Sequence, residues 1–203
     1  MTNRREFLQI GIAASALPLA VQAARAAEPL GWLGAGDAPG VPLYKAVYDL
    51  RFAVSVAFAR RAETQGVAVH AFEGDITRFW YDDLYHRWRD GPAAIAGLTG
   101  HGALFCLEQL ARDQRMRVVF RAEHAPAAGA VEHRVEGPLA MLEHARSAAA
   151  EREWPARFAD LVKRCPSGRT ELGSMTVCGA ALGAAAEDTE PLYTWVIAPA
   201  RRA

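Results

Sequence analysis

The chain has almost no lysine and no long hydrophobic run. Only Lys45 and Lys163 are lysines, against 21 arginines, a bias that we attribute to genomic composition rather than to function. The 23 basic and 23 acidic side chains leave no net charge, which argues against a nucleic-acid-binding protein because that class usually has a basic excess. No stretch of about 20 uninterrupted apolar residues occurs, so the sequence excludes a polytopic membrane protein.

Motifs that identify many enzymes and metalloproteins are also missing. The chain has no Cys-x-x-Cys, Cys-x-x-Cys-His or His-Glu-x-x-His sequence, and its six histidines are scattered. It has no Gly-x-Ser-x-Gly turn, so an α/β-hydrolase is not supported. We therefore expect no metal site and leave the catalytic residues and any cofactor unassigned. Whether the chain is an enzyme stays open.

The hydrophobic fraction, in contrast, is 51%, which is too high for a wholly disordered chain. A length of 203 residues suffices for one domain with a substantial core.

The N-terminal segment has the three parts of a signal peptide. A charged start, MTNRREFLQ, precedes a short, modestly apolar run over residues 10–21. The sequence AARAA follows at 23–27 and offers small residues at the −3 and −1 positions of a cleavage site after Ala26. This order of charged, apolar and small residues is typical of secretory signals.

The same segment resembles the twin-arginine (Tat) signal family, whose usual pattern is Ser/Thr-Arg-Arg-x-Phe-Leu-Lys. Arg4, Arg5, Phe7 and Leu8 match that pattern, and the residues at its two tolerant ends depart from it. The resemblance covers about the first 26 residues and implies export by the Tat translocase to the periplasm. It also implies folding before export, often with a bound cofactor or a partner subunit. A folded N-terminal helix and an uncleaved membrane anchor are the alternatives.

The remaining chain alternates short apolar runs with segments of helical period. Residues 27–43 are rich in Gly and Pro and predict an irregular linker or arm, so the single predicted domain covers 44–203. We expect strands at 45–49, 67–72, 93–98, 117–122, 131–135 and 192–198, and helices at 51–65, 75–90, 101–113, 138–153 and 155–164. This order predicts a three-layer α/β fold with a mostly parallel sheet, helices on both faces and an antiparallel edge strand at the C-terminus.

A glycine-rich sequence, GLTGHG, spans Gly97–Gly102 where the third predicted strand passes into a helix. Free N–H groups at a helix start attract anions, and glycine lets a ligand approach the backbone. The spacing is neither that of the dinucleotide fingerprint nor that of a P-loop. The alternative is a tight turn whose glycines serve packing alone.

Other polar residues follow the predicted parallel strands, and ligands of open α/β sheets bind at the carboxyl ends of the strands. For three of these residues the alternative to ligand binding is a structural role. Asp75 can cap a helix, Arg51 can pair with Asp49, and His124 can be a surface loop residue. We expect the following residues to line one site for a small, anionic ligand: Asp49, Arg51, Asp75, Thr99, Gly100, His101 and His124.

The three cysteines are Cys106, Cys165 and Cys178. Cys106 lies on an apolar helix face and is predicted to be a buried small hydrophobe. Cys165 and Cys178 flank 12 residues and could form a disulfide in an oxidising periplasm. Two unpaired thiols are the alternative.

The aromatic cluster Phe79-Trp80-Tyr81 is predicted to be mainly core, with an outward part that would suit a partner surface. Two functions follow from these patterns. The glycine-rich sequence favours a periplasmic protein that binds an anionic ligand. The Tat resemblance and the missing catalytic motifs favour an accessory subunit exported with a cofactor-containing oxidoreductase. A stand-alone hydrolase or transferase ranks below both.

Overall fold

The computed structural model describes residues 40–166, 170–180 and 190–199. The predicted signal peptide, with Arg4, Arg5, Phe7 and Leu8, lies outside the described residues, as does most of the predicted arm. The strands are β1 (Leu43–Asp49), β2 (Val69–Phe72), β3 (Ala94–Gly100), β4 (Met116–Ala127), β5 (Ala130–Pro138), β6 (Leu172–Ala180) and β7 (Leu192–Pro199). The helices are α1 (Ala53–Thr64), α2 (Thr77–Phe79), α3 (Tyr85–Asp90), α4 (His101–Asp113), α5 (Leu139–Ala150) and α6 (Trp154–Val162).

The seven described strands form one mixed sheet in the order β2-β1-β3-β7-β4-β5-β6. β1 pairs in parallel with β2 and β3, and the other four pairings are antiparallel. Five of the seven strands consequently point in one direction, and only β5 and β7 oppose them. The C-terminal strand is antiparallel, as expected. It lies between β3 and β4, however, rather than at an edge of the sheet.

Helices cover both faces of the sheet, which confirms the three-layer α/β architecture. On one face α1, α5 and α6 bury Phe58, Met141 and Phe158 against the sheet. On the other face α4 and the segment from α2 to α3 bury Leu104 and Trp88. Along the strands the buried side chains alternate between the two cores, as the two-residue period of a strand requires.

Local sequence signals explain most of these elements. Gly66, with a φ of 77°, follows α1 and supplies the left-handed conformation common after a helix. The crossover from β2 to β3 contains a π-helical turn over Trp80–Leu84, between α2 and α3. β6 had no clear pattern in the sequence. Its outward residues are exposed, and glycines occupy two of its inward positions, Gly173 and Gly179.

Candidate functional site

The carboxyl edge of the sheet is the edge at which β1, β2 and β3 end. Asp49 closes β1 and is fully buried. Its carboxylate accepts hydrogen bonds from Arg51 Nε at 3.1 Å and from Arg51 Nη2 at 2.7 Å. The predicted pairing of these two residues is therefore confirmed. The Arg51 side chain is 47% exposed, so Asp49 holds the guanidinium in place while part of it stays open to solvent.

Ser55, on the first turn of α1, connects the ends of β1 and β3. Its hydroxyl accepts the Asp49 N–H at 2.9 Å and donates to the Leu98 carbonyl of β3. The ends of β1 and β3 are consequently joined through one buried hydroxyl. The hydrogen bonds from Arg51 to Asp49 raise the pKa of the guanidinium, with smaller contributions from the charges of Glu190 and Glu73. Arg51 is therefore a fixed positive charge at the carboxyl edge.

The start of α4 completes the candidate site. β3 passes into α4 without a loop, because Gly100 is both the last strand residue and the residue before the helix. No acidic residue lies in the first turn of α4, and its N-cap residue, Gly100, has no side chain that could cap it. The Glu190 carboxylate lies nearby: a Cβ built on Gly100 would be 3.0 Å from Glu190 Oε1. Glu190 precedes β7, so an anionic group of the chain itself lies beside the start of this helix.

The three glycines of Gly97–Gly102 have different roles. Gly97 lies inside the sheet, where a Cβ would come within 2.5 Å of the Trp195 ring and 2.7 Å of the Val47 carbonyl oxygen. The packing interpretation therefore holds for Gly97. A Cβ on Gly102, in contrast, would meet no atom of the described residues within 4 Å. His101 is exposed at the first helical position, with its ring centroid 5.5 Å from that of Tyr193.

Thr99 does not line the predicted crevice. It is fully buried, and its hydroxyl accepts a hydrogen bond from Trp195 Nε1 at 3.0 Å. The reason is the period of the strand: Thr99 shares a face with Gly97 and so points into the core beneath α4. The prediction of Thr99 as a ligand-facing hydroxyl is wrong.

Asp75 lies near the same edge but has a structural role. It is exposed, and its Oδ1 accepts the N–H of Thr77 at 2.8 Å at the start of α2. Hydrogen bonds from Thr77 lower the pKa of Asp75. The capping alternative is therefore confirmed. Gly74, with a φ of 73°, makes the preceding turn and lies against the Arg51 side chain, which is 3.4 Å from a Cβ built there.

His124 is neither a site residue at the carboxyl edge nor a surface loop residue. β4 continues to Ala127, so His124 lies within the strand and is buried between the sheet and α6. Its Nδ1 is 2.7 Å from Nδ1 of His133, and its Nε2 is 2.8 Å from the Thr194 hydroxyl. The Trp154 ring lies 4.2 Å from the His124 ring, centroid to centroid. Both predictions for His124 are therefore wrong.

The sequence did not single out His133 and Thr194, the two partners of His124. The registers of the antiparallel pairs bring these residues together. His124 is opposite His133 in β5 and opposite Leu192 in β7, and Thr194 lies two residues after Leu192, on the same face of that strand. Burial lowers the pKa of His133 to about 4 and that of His124 well below its ordinary value. Both imidazoles are consequently neutral at pH 7. A possible signal was the alternation of Val131, His133 and Val135 along β5.

The predicted disulfide is absent from the structure, in which Cys106, Cys165 and Cys178 are all free. Cys165 is buried, and its carbonyl accepts the N–H of Val41 just before β1, at the amino-terminal end of that strand. Cys178 is near the carboxyl-terminal end of β6, which runs in the same direction as β1. The two thiols therefore lie toward opposite edges of the sheet. Cys106 is exposed on α4, so its predicted burial is also wrong.

The aromatic segment divides as predicted. Phe79 and Trp80 are buried beneath the sheet, whereas Tyr81 is 65% exposed on the π-helical turn. No helix among the described residues is long and apolar enough to span a membrane. Within the same residues, no group of three or more His, Cys, Asp or Glu side chains is placed to hold a metal ion.

Comparison of the chain with protein-family models, with curated proteins and with solved structures gives no match. The site must therefore be interpreted from its own chemistry.

Proposed function

We propose that the chain is exported by the Tat route to the periplasm and binds a small anionic ligand at the carboxyl edge of its sheet. The ligand lies at the start of α4, beside Gly100, and pairs with the exposed part of Arg51. The observation that carries this proposal is the Glu190 carboxylate, which lies beside Gly100 and contributes to the raised pKa of Arg51. An anion from solution would replace it there.

Two physical effects favour an anion at this position. The first N–H groups of a helix have no partner within the helix, and the helix dipole adds a partial positive charge. This interaction stabilises a bound anion by about 0.3–1 kcal/mol when exposed and by up to about 2 kcal/mol when partly buried. Arg51 adds charge-assisted hydrogen bonds from a guanidinium that Asp49 already orients. Little ordering entropy is then lost on binding.

The neighbouring carboxylates restrict the choice of ligand. Asp49 already neutralises much of the Arg51 charge, and Glu73 and Glu190 add negative charge nearby. A ligand must outcompete Glu190 for the helix start, which favours a compact anion with several acceptor oxygens. Phosphate and small dicarboxylates have this chemistry. We expect inorganic phosphate to bind with a dissociation constant of about 1 mM, equivalent to roughly −4 kcal/mol.

The pair Arg51 and Glu190 provides a test with opposite signs. Replacement Arg51→Gln should weaken phosphate binding by about tenfold, since it removes a charge-assisted hydrogen bond but keeps a donor toward Asp49. Replacement Glu190→Gln should strengthen binding about fivefold, because the competing charge disappears. Isothermal titration with phosphate at constant ionic strength measures both effects.

Arg61 provides the matched control for Arg51. It is 45% exposed and pairs with Asp160 at 2.6 Å, away from the carboxyl edge. Replacement Arg61→Gln should leave phosphate binding unchanged. Equal weakening by Arg51→Gln and Arg61→Gln would show that phosphate responds only to net charge and would reject the site. Weaker binding in Glu190→Gln would also reject it, whatever the folding of the Arg51 variant.

Export depends on the N-terminal arginines. Replacing Arg4 and Arg5 with lysine should leave unprocessed protein in the cytoplasm, because the resemblance to Tat signals rests on that pair. Fractionation followed by immunoblotting measures the distribution, with Arg25→Lys as the control that keeps the pair intact. Normal periplasmic amounts of the double variant would contradict Tat export.

A second candidate function is that of an accessory subunit exported together with a periplasmic cofactor-containing oxidoreductase. The observation in its favour is Tyr81, which exposes 65% of its surface on the π-helical turn. Purification from periplasm distinguishes the two functions. A stoichiometric larger subunit with a visible cofactor spectrum, lost in Tyr81→Ser, would favour the accessory subunit.

A further inference from the structure

We propose a second ligand site at the amino edge of the sheet, where β1 and β3 begin and β7 ends. A cleft of about 470 Å³ lies there, within the range of pockets that hold small molecules. Its ligand is an apolar monocarboxylate, meaning a molecule with a hydrocarbon chain or ring and one carboxylate. This site is at the opposite end of the strands from Arg51 and does not depend on the function proposed above.

The walls of the cleft are more apolar than polar. Val41, Leu43, Ala94 and Val119 contribute aliphatic surface, and the last of these lies at the irregularity in the pairing of β4 with β7. Four prolines also line the cleft: Pro42, Pro92, Pro166 and Pro199. Proline has no backbone N–H and a fixed φ, so these walls offer few donors and little freedom to collapse. Such a surface favours a hydrocarbon group.

The charge of the cleft has a single sign. Arg87 and Arg117 line it, and no Asp or Glu is among the described residues of its lining. Within the described part of the chain, neither arginine forms an ion pair with a carboxylate. Two other clefts have mixed or negative charge: one shares Arg117 with this cleft but also includes Glu108 and Glu136, and the other is lined by four acidic residues. Charge complementarity therefore assigns an anionic head group to this cleft.

Arg87 is already oriented for that role. Its Nη1 donates to the Gly91 carbonyl oxygen at 3.2 Å, and its guanidinium lies 5.3 Å from the centre of the Tyr44 ring. This hydrogen bond uses one of the five N–H groups of the guanidinium. The guanidinium is planar, and its remaining N–H groups can donate to the two oxygens of a carboxylate. Arg117 is exposed at the start of β4, on the rim of the cleft. A carboxylate at the rim would leave its apolar part against the prolines.

Three probes test the two parts of the ligand. Octanoate has both the hydrocarbon chain and the carboxylate, 1-octanol has the chain without the charge, and acetate has the carboxylate without the chain. Octanoate should bind with one site per chain, and at least about tenfold more tightly than either 1-octanol or acetate. Replacement Arg117→Gln should weaken octanoate binding about fivefold, and the double replacement of Arg87 and Arg117 by Gln should weaken it by more than tenfold. Isothermal titration of the full chain measures each affinity.

One variant controls for nonspecific effects. Arg61→Gln removes an arginine that belongs to neither proposed site, and it should not change octanoate binding. Arg117 is exposed, so its replacement tests the site even where the Arg87 variant fails to fold, which thermal unfolding detects. Equal affinities for octanoate and 1-octanol, no octanoate binding, or equal losses in Arg61→Gln and Arg117→Gln would overturn the proposal.

Discussion

Replacing Gly97 with alanine should destabilise the protein by about 3 kcal/mol, at the upper end of the usual cost of overpacking a core. The new methyl group would lie 2.5 Å from the Trp195 ring and 2.7 Å from the Val47 carbonyl oxygen, in the centre of the sheet. Trp195 is fully buried and its Nε1 donates a hydrogen bond to the Thr99 hydroxyl, so the ring cannot move aside easily. Urea unfolding followed by far-ultraviolet circular dichroism measures the change.

Gly102 is the matched control for Gly97. It belongs to the same six-residue sequence, yet within the part of the chain that the structure describes a Cβ there would meet nothing within 4 Å. Since alanine is a better helix former than glycine, Gly102→Ala should stabilise the protein by about 0.5 kcal/mol. Equal effects of the two replacements would contradict the structural roles assigned to these glycines.

Acid should destabilise the fold through its buried histidine pair. Burial lowers the pKa of His133 to about 4 in the folded protein, against about 6.5 in an unfolded chain. The folded state thus favours the neutral imidazole, so its contribution to stability is complete above pH 6.5 and is lost as pH falls toward 4. Between pH 7 and pH 4, the lowered pKa of His133 should reduce the free energy of unfolding by about 3 kcal/mol. The lowered pKa of His124 should reduce it further.

Urea unfolding at pH 7.5, 6.5, 5.5 and 4.5 tests this window. His70, whose pKa is lowered by burial, contributes in the same direction. Because the pKa values of Asp75 and Asp83 are also lowered, these carboxylates affect the pH dependence of stability mainly below pH 4.5. His133→Gln should be less stable at pH 7.5 but should show a flatter pH dependence of the free energy of unfolding than the unchanged protein. An unchanged slope in His133→Gln would contradict the assignment.

The sequence was sufficient to predict the layers, because strand and helix periods alternate clearly along most of the chain. The predicted range of α4, residues 101–113, agrees with the structure. β6 was not predicted, because Gly173 and Gly179 replace apolar side chains at two of its inward positions. The position of β7 was also not predicted, since the order of strands in a sheet depends on contacts far apart along the chain.

The candidate site shows the same division between local and distant contacts. The interaction of Asp49 with Arg51 spans two residues, and that of Asp75 with Thr77 also spans two, so both could be inferred from local rules. Glu190 comes to Gly100 only because β7 inserts beside β3. His124 was placed in a loop because β4 and β5 were predicted too short, at 117–122 and 131–135. Once β4 reaches Ala127, the strand period turns that side chain into the core.

The most direct test of the carboxyl-edge site is a phosphate titration of the ¹⁵N-labelled full chain, followed by amide chemical shifts at constant ionic strength. We expect saturable shifts at His101, Gly102 and Ala103, whose N–H groups begin α4, and at the Arg51 side chain. The same resonances should stay unchanged when chloride replaces phosphate. Shifts that fail to saturate, or that appear equally with chloride or at the Arg61 side chain, would contradict an anion site at the start of α4.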